Sequence, residues 1–133
     1  MRVSVKIDKK KMYNKTKKEL ESLAKQVIFY GVNEIRNNAV TGITQGTKSG
    51  TVRRDGSRRS AEGEFPATDT GFLQNNIVVS LAPDGMSGEA ISRAEYSSHL
   101  EFGTSKMGAR PFMQPSAEQA RPKIRRRLKQ LFG

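Results

Sequence analysis

Between residues 20 and 39, apolar or small side chains recur every three or four positions: Leu20, Leu23, Ala24, Val27, Ile28, Gly31, Ile35 and Ala39. That spacing stacks them on one face of an α-helix. It predicts one long helix over residues 9–40, with Asp8 as its N-cap or a start a few residues later. Gly31 sits on the stripe, where an interior glycine costs about 1 kcal/mol relative to alanine. Close approach by a second element at Gly31 accounts for that cost. The helix is expected to fray near Asn37 and Asn38 and to end before Gly42.

Ahead of the helix, residues 2–7 alternate. Val3, Val5 and Ile7 point one way and Arg2, Ser4 and Lys6 the other, the period of a half-buried strand. Beyond Pro66, residues 68–73 read as a short helical start. Residues 77–82 and 86–92 read as two strands joined at the turn residues Pro83-Asp84-Gly85. Residues 94–102 predict a short helix, 103–110 a loop, and Pro111 or Pro115 the opening of a last helix to about Leu131. Pro122 falls inside that helix and predicts a kink or a restart. The expected class is α+β: an N-terminal strand and long helix, a short helix, an antiparallel β-hairpin or small sheet, and a C-terminal helix. The length of 133 residues fits a single domain.

Residues 42–65 are of another kind. They are rich in Gly, Ser, Thr and Arg, and only Ile43, Val52 and Phe65 are sizeable apolar groups. So few apolar side chains offset little of the entropy lost on ordering such a stretch. It is expected to be flexible, or ordered by a partner, with a short hairpin as an option within it. Long structureless loops inside compact domains usually serve function.

The charge is uneven. Lys plus Arg number 24 against 13 Asp plus Glu, a net charge of +11. The excess sits in residues 1–18, in Lys48, Arg53, Arg54, Arg58 and Arg59, and in Arg121, Lys123, Arg125, Arg126, Arg127 and Lys129. The stretch 61–101 holds Glu62, Glu64, Asp69, Asp84, Glu89, Glu95 and Glu101 against Arg93 alone. Nucleic acid and acidic protein surfaces are the natural partners of the basic parts. Copies of such a chain also attract one another, basic part to acidic part.

Several chemistries are disfavoured. There is no cysteine, hence no disulfide, thiolate metal site or thiol nucleophile. The single histidine, His99, is expected at the surface. Glu62, Glu64 and Asp69 lack a fixed spacing to a fourth ligand, so no metal and no cofactor is expected. Gly46-Thr47-Lys48-Ser49-Gly50 lacks the order of a phosphate-binding loop. No acid–base pair stands at usable spacing, and no catalytic residue is assigned. No apolar run approaches the roughly 18 residues that span a membrane. The first residues lack the apolar core of a secretory signal, so a cytoplasmic site of synthesis is expected.

The stretch from Tyr96 to Ala117 carries Tyr96, then Glu101-Phe102-Gly103-Thr104, then Arg110-Pro111-Phe112 and Pro115. A second block carries Pro66, Thr70-Gly71-Phe72-Leu73 and Ile77. Together they resemble the tail-component (tail-completion, head–tail joining) family of lambda-like long-tailed bacteriophages, over roughly residues 64–117. Ser116, where the family often has Ala, and Asn76, where Ser is common, depart from the pattern. The resemblance implies a virion structural protein of the neck or upper tail and no enzymatic activity. It implies a homo-oligomeric ring, hexamer or dodecamer, that links the head connector to the tail and is assembled in the bacterial cytoplasm. Neighbouring neck and tail proteins, and DNA passing through the channel, are the implied partners.

Tyr96, Glu101, Phe102, Gly103, Thr104, Arg110, Pro111 and Phe112 are then the interface candidates. Within that block Gly103 is expected at positive φ, and Glu101 is expected to pair with Arg110 across the loop. The bland alternative is that the block only packs the hairpin against the last helix. Arg53, Arg54, Arg58, Arg59, Arg125, Arg126 and Arg127 are the candidates for docking the loop or facing DNA. The alternative function is a non-specific, salt-sensitive nucleic-acid-binding module using the basic segments, although the Arg runs lack interleaved aromatics.

Overall fold

The computed structural model describes residues 1–6 and 16–132. In chain order the elements are β1 (Arg2–Lys6), α1 (Lys17–Gln45), α2 (Phe72–Asn75), β2 (Ile77–Leu81), β3 (Ser87–Ser92), α3 (Ser97–Phe102) and α4 (Met113–Phe132). The class is α+β, as the alternation and the stripe predict.

The long helix differs from expectation at its C-terminal end. Asp8, Ile7 and residues 9–15 lie outside the described residues. Thr16 is extended, and its side chain accepts the Glu19 amide at 3.2 Å, so α1 starts at Lys17. Thr16 and Glu19 stand at the spacing of a capping box. At the other end, α1 runs through Gly42 to Gln45. Gly42 does not stop the helix. It makes room for the Phe65 ring, which lies where a Cβ would stand. Ile43, one residue on, is fully buried. Packing decides this helix end against the local glycine signal.

Gly31 does mark a close approach. A Cβ there would meet Ile124 Cδ1 and Val5 Cγ2, each at 3.1 Å, so α4 and β1 converge on this point of α1. The sheet has the order β1-β3-β2 and is antiparallel throughout, with Val3 opposite Ala90 and Val79 opposite Ala90 from the other side. The β2–β3 turn places Gly85 at φ 70°, as its Pro-Asp-Gly sequence predicts. Gly88, Ala90 and Ser92 alternate inward on β3. Their small size lets α1 lie close, with Val32 Cγ1 only 2.9 Å from where a Gly88 Cβ would stand.

Helix α4 runs antiparallel along α1. Asn38 donates to the Ser116 carbonyl at 3.1 Å, and Lys123 pairs with Glu34 at 2.8 Å further along. Pro122 lies within one continuous helix, so of the kink or restart expected there the restart does not occur. Val5, Ile28, Val32, Ile35, Ile43, Leu73, Ile77, Phe112 and Met113 join in a single core between the sheet and the two helices.

Within residues 42–65, where a flexible or partner-ordered stretch with an optional short hairpin is expected, the hairpin forms. It is narrow, with Gly50 N–H on the Arg59 carbonyl, Arg59 N–H on Thr51 and Arg53 N–H on Ser57. The Glu64 carboxylate closes its base, accepting the Ser49 amide at 2.9 Å, the Ser49 hydroxyl at 2.8 Å and the Ala61 amide at 2.6 Å. These bonds hold the Glu64 carboxyl below the usual carboxylate range, the Ala61 amide contributing most. Gly63 N–H reaches the Ala109 carbonyl at 2.8 Å and ties the segment to the body. Counting apolar side chains misses these polar ties.

Candidate functional site

The family-like block folds into the junction between α3 and α4. Helix α4 has an unusual start, because the residue before it is Phe112, which carries no capping oxygen. The first turn must therefore find acceptors elsewhere. Glu101, at the end of α3, supplies them. Its carboxylate accepts the amides of Phe112 at 3.2 Å, Met113 at 2.9 Å and Gln114 at 3.3 Å. Pro115 has no amide to satisfy, so the donors of this turn are all accounted for. The positive end of the helix dipole favours the carboxylate further.

Glu101 is only 5% exposed and Phe112 is fully buried. Both act inside the subunit. The expected Glu101–Arg110 pair is not formed, because α4 occupies the Glu101 carboxylate. Arg110 turns the other way, donating from Nε to the Ser60 carbonyl at 3.3 Å and from Nη1 to the Gly108 carbonyl at 2.9 Å. It pins the loop after α3 to the foot of the hairpin.

That loop turns at Gly103, whose φ of 77° and ψ of 179° suit glycine. A Cβ there would stand 2.9 Å from the Met107 carbonyl oxygen and the Ala109 nitrogen. Thr104 N–H bonds to the Met107 carbonyl at 2.8 Å, and the Thr104 hydroxyl accepts the Lys106 amide at 3.2 Å. Arg110 N–H closes the excursion on the Leu100 carbonyl at 2.6 Å, with Pro111 next to it leading into the core residue Phe112.

Other residues of the block face outward. Phe102 is 68% exposed, and the Tyr96 and Phe72 rings lie 6.2 Å apart, tilted, each about half exposed. Phe72 and Tyr96 border a cleft of about 740 Å³. Arg53 and Arg59 line it from the hairpin, Pro66, Asp69 and Leu73 from the following turn, and Leu100, Met107 and Arg110 from the far side. Arg53 is positioned by a 2.7 Å bond to the Thr68 carbonyl, and Arg58 by a 3.2 Å bond to Gly50. Burial, with the Asp69 carboxylate beside it, raises the Tyr96 hydroxyl above its ordinary value. Arg54 and Arg59 are exposed.

The sequence candidates thus separate. Glu101, Gly103, Arg110, Pro111 and Phe112 build the junction. Tyr96 and Phe102 remain on the surface, and Thr104 is exposed on the loop. His99 is exposed, as expected. Arg125, Arg126 and Arg127 lie exposed on α4, away from the hairpin arginines in the chain, and Arg127 stands over the Tyr30 ring of α1. Sequence reasoning missed the partnership of Phe72 with Tyr96 and the role of Glu64. It also missed the capping by Glu101, although a helix opening on Phe112 and Pro115 signals a distant cap. Among the described residues no cluster of metal-ligating side chains forms. No described helix is long and apolar enough to cross a membrane. Comparison of the chain with protein-family models, with curated proteins and with solved structures returned no match.

Proposed function

We propose that the chain is a structural subunit of the phage neck or upper tail, assembling as a ring and linking head connector to tail. One observation carries this reading beyond the resemblance. The family-like block spends its polar groups on locking α3 to α4, yet it presents Tyr96 and Phe102, with Phe72 nearby, to solvent. Exposed aromatics on a rigid support are the residues that anchor protein interfaces. The adjoining cleft adds the arginines Arg53 and Arg59, which suit an acidic partner surface.

A neighbouring copy in a ring presents a different surface from the one it receives, so contacts are heterologous and close by rotation. The acidic stretch of one copy meeting the basic hairpin of the next fits that geometry. Native mass spectrometry of the protein, alone and mixed with neck and tail proteins, tests the proposal. A closed oligomer in the mixture is the expected result. A monomer in every mixture contradicts it.

A further inference from the structure

The turn between β2 and β3 is a tip that carries an acid among apolar groups. Leu81 keeps 44% of its surface exposed, and Pro83 and Asp84 beyond it are exposed. The Asp84 carboxylate accepts the Met86 amide at 2.9 Å, which fixes it on the turn. From Ile77 to Ser92 there is no basic residue, and the other acid of that stretch, Glu89, is taken by Arg2 at 3.0 Å. Lys25 lays its aliphatic stem on Gly85, yet among the described residues no ion pair includes Asp84. The cleft bordered by Phe72 and Tyr96 has the opposite character. Arg53, Arg59 and Arg110 line it against Asp69 alone. Arg59 is exposed and takes part in no ion pair among the described residues.

Tip and cleft lie at opposite ends of α1. Gly85 of the tip packs on Lys25, whereas Phe65, next to the cleft residue Pro66, packs on Gly42. Those two points stand about 25 Å apart along the helix axis. The tip therefore cannot fill the cleft of its own chain, and a second copy placed head to tail can. We propose that the β2–β3 tip of one copy docks in the cleft of the next, with Asp84 on Arg53 and Arg59 and with Leu81 and Pro83 against Phe72 and Tyr96. The proposal rests on the ring reading and names the surfaces through which the copies meet. Opposite charges set the register of such a contact, and the apolar groups supply its area. A donor patch and an acceptor patch on one chain make a heterologous contact, which forms a ring when the rotation closes. Other acids suit the cleft less. Asp55 stands between Arg54 and Arg58, and Glu19 and Glu21 follow Lys17 and Lys18.

The chain has no cysteine, so single introduced thiols report this contact cleanly. Pro83→Cys marks the tip and Thr70→Cys marks the cleft, and both positions are exposed. The two full-length variants are mixed, with neck and tail proteins present, and treated with a short bis-maleimide. The mixture should give a linked pair containing one chain of each kind, while each variant alone stays unlinked. Native mass spectrometry of the parent chain in the same mixture separates the two readings. A closed oligomer without the mixed product overturns the tip contact and leaves the ring standing, and a monomer throughout overturns both. Linkage of the Thr70→Cys chain to a neck or tail protein in place of the Pro83→Cys chain also overturns it. Asp84→Arg should abolish the oligomer. Asp84→Arg with Arg59→Asp in one chain should restore it, because every contact then carries the reversed pair. Thermal denaturation checks that each variant keeps its fold, and assembly unchanged by Asp84→Arg counts against the proposal.

Discussion

The Glu101 carboxylate accepts the Met113 amide at 2.9 Å, and so the end of α3 determines where α4 begins. Because the same carboxylate also takes the Phe112 and Gln114 amides, its removal leaves several donors without a partner in a buried place. Each such group costs about 1–3 kcal/mol. Glu101→Ala should therefore lower stability by at least that amount in urea denaturation. Glu101→Gln keeps one carbonyl oxygen and should fall between. A Glu101→Ala protein as stable as the parent contradicts the capping role.

Gly42 offers a test in which propensity and packing point in opposite directions. Alanine in a helix interior gains about 1 kcal/mol over glycine. The added methyl must nevertheless displace the Phe65 ring. Gly42→Ala is expected to destabilise the protein by about 1–3 kcal/mol, as overpacking does. Placed on a Phe65→Ala background, the same change should become neutral or stabilising. A thermal-denaturation double-mutant cycle reads the coupling, and additive effects contradict the contact.

The hairpin base should respond to acid through Glu64. Its folded carboxyl titrates below the ordinary range, so the contribution it makes to closing the segment is present above that range. It is lost as pH falls through the folded value. The Ser49 and Ala61 amide resonances should then shift together on acidification, with a midpoint lower than an ordinary glutamate gives. Glu64→Gln should remove the shared transition. A midpoint in the ordinary carboxylate range counts against the bonds to Ser49 and Ala61.

The elements with strong local signals were legible in the chain. β2 follows from its short apolar run, β3 as the strand returning after Pro83-Asp84-Gly85, and α1 from its stripe. The close approach at Gly31 also follows, since glycine on an apolar face has few other uses. What was not legible depends on contacts between distant residues. Gly42 reads as a stop until Phe65 is placed against it. Glu101 reads as a partner for Arg110 until the bare amides of α4 compete for it. The segment 46–65 reads as free because its ties are carboxylate-to-amide bonds, which hydropathy does not register.

The exposed aromatic face should matter to assembly and not to folding. Phe102→Ser and Phe72→Ser remove large side chains that lie mostly in solvent. Surface changes of this kind usually alter stability by no more than about 0.5 kcal/mol. Light scattering should show that each variant loses oligomer in the presence of neck and tail proteins while its melting temperature holds. Loss of the fold, or unchanged assembly, contradicts the assignment of this face.

Photo-crosslinking from position 102 is the most direct measurement of the central claim. With p-benzoylphenylalanine in place of Phe102, irradiation of the assembled particle should join this chain covalently to a sister copy or to an adjoining neck protein, through a peptide that mass spectrometry can locate. Crosslinks confined to the chain's own residues, in a particle shown to contain it, would contradict the account.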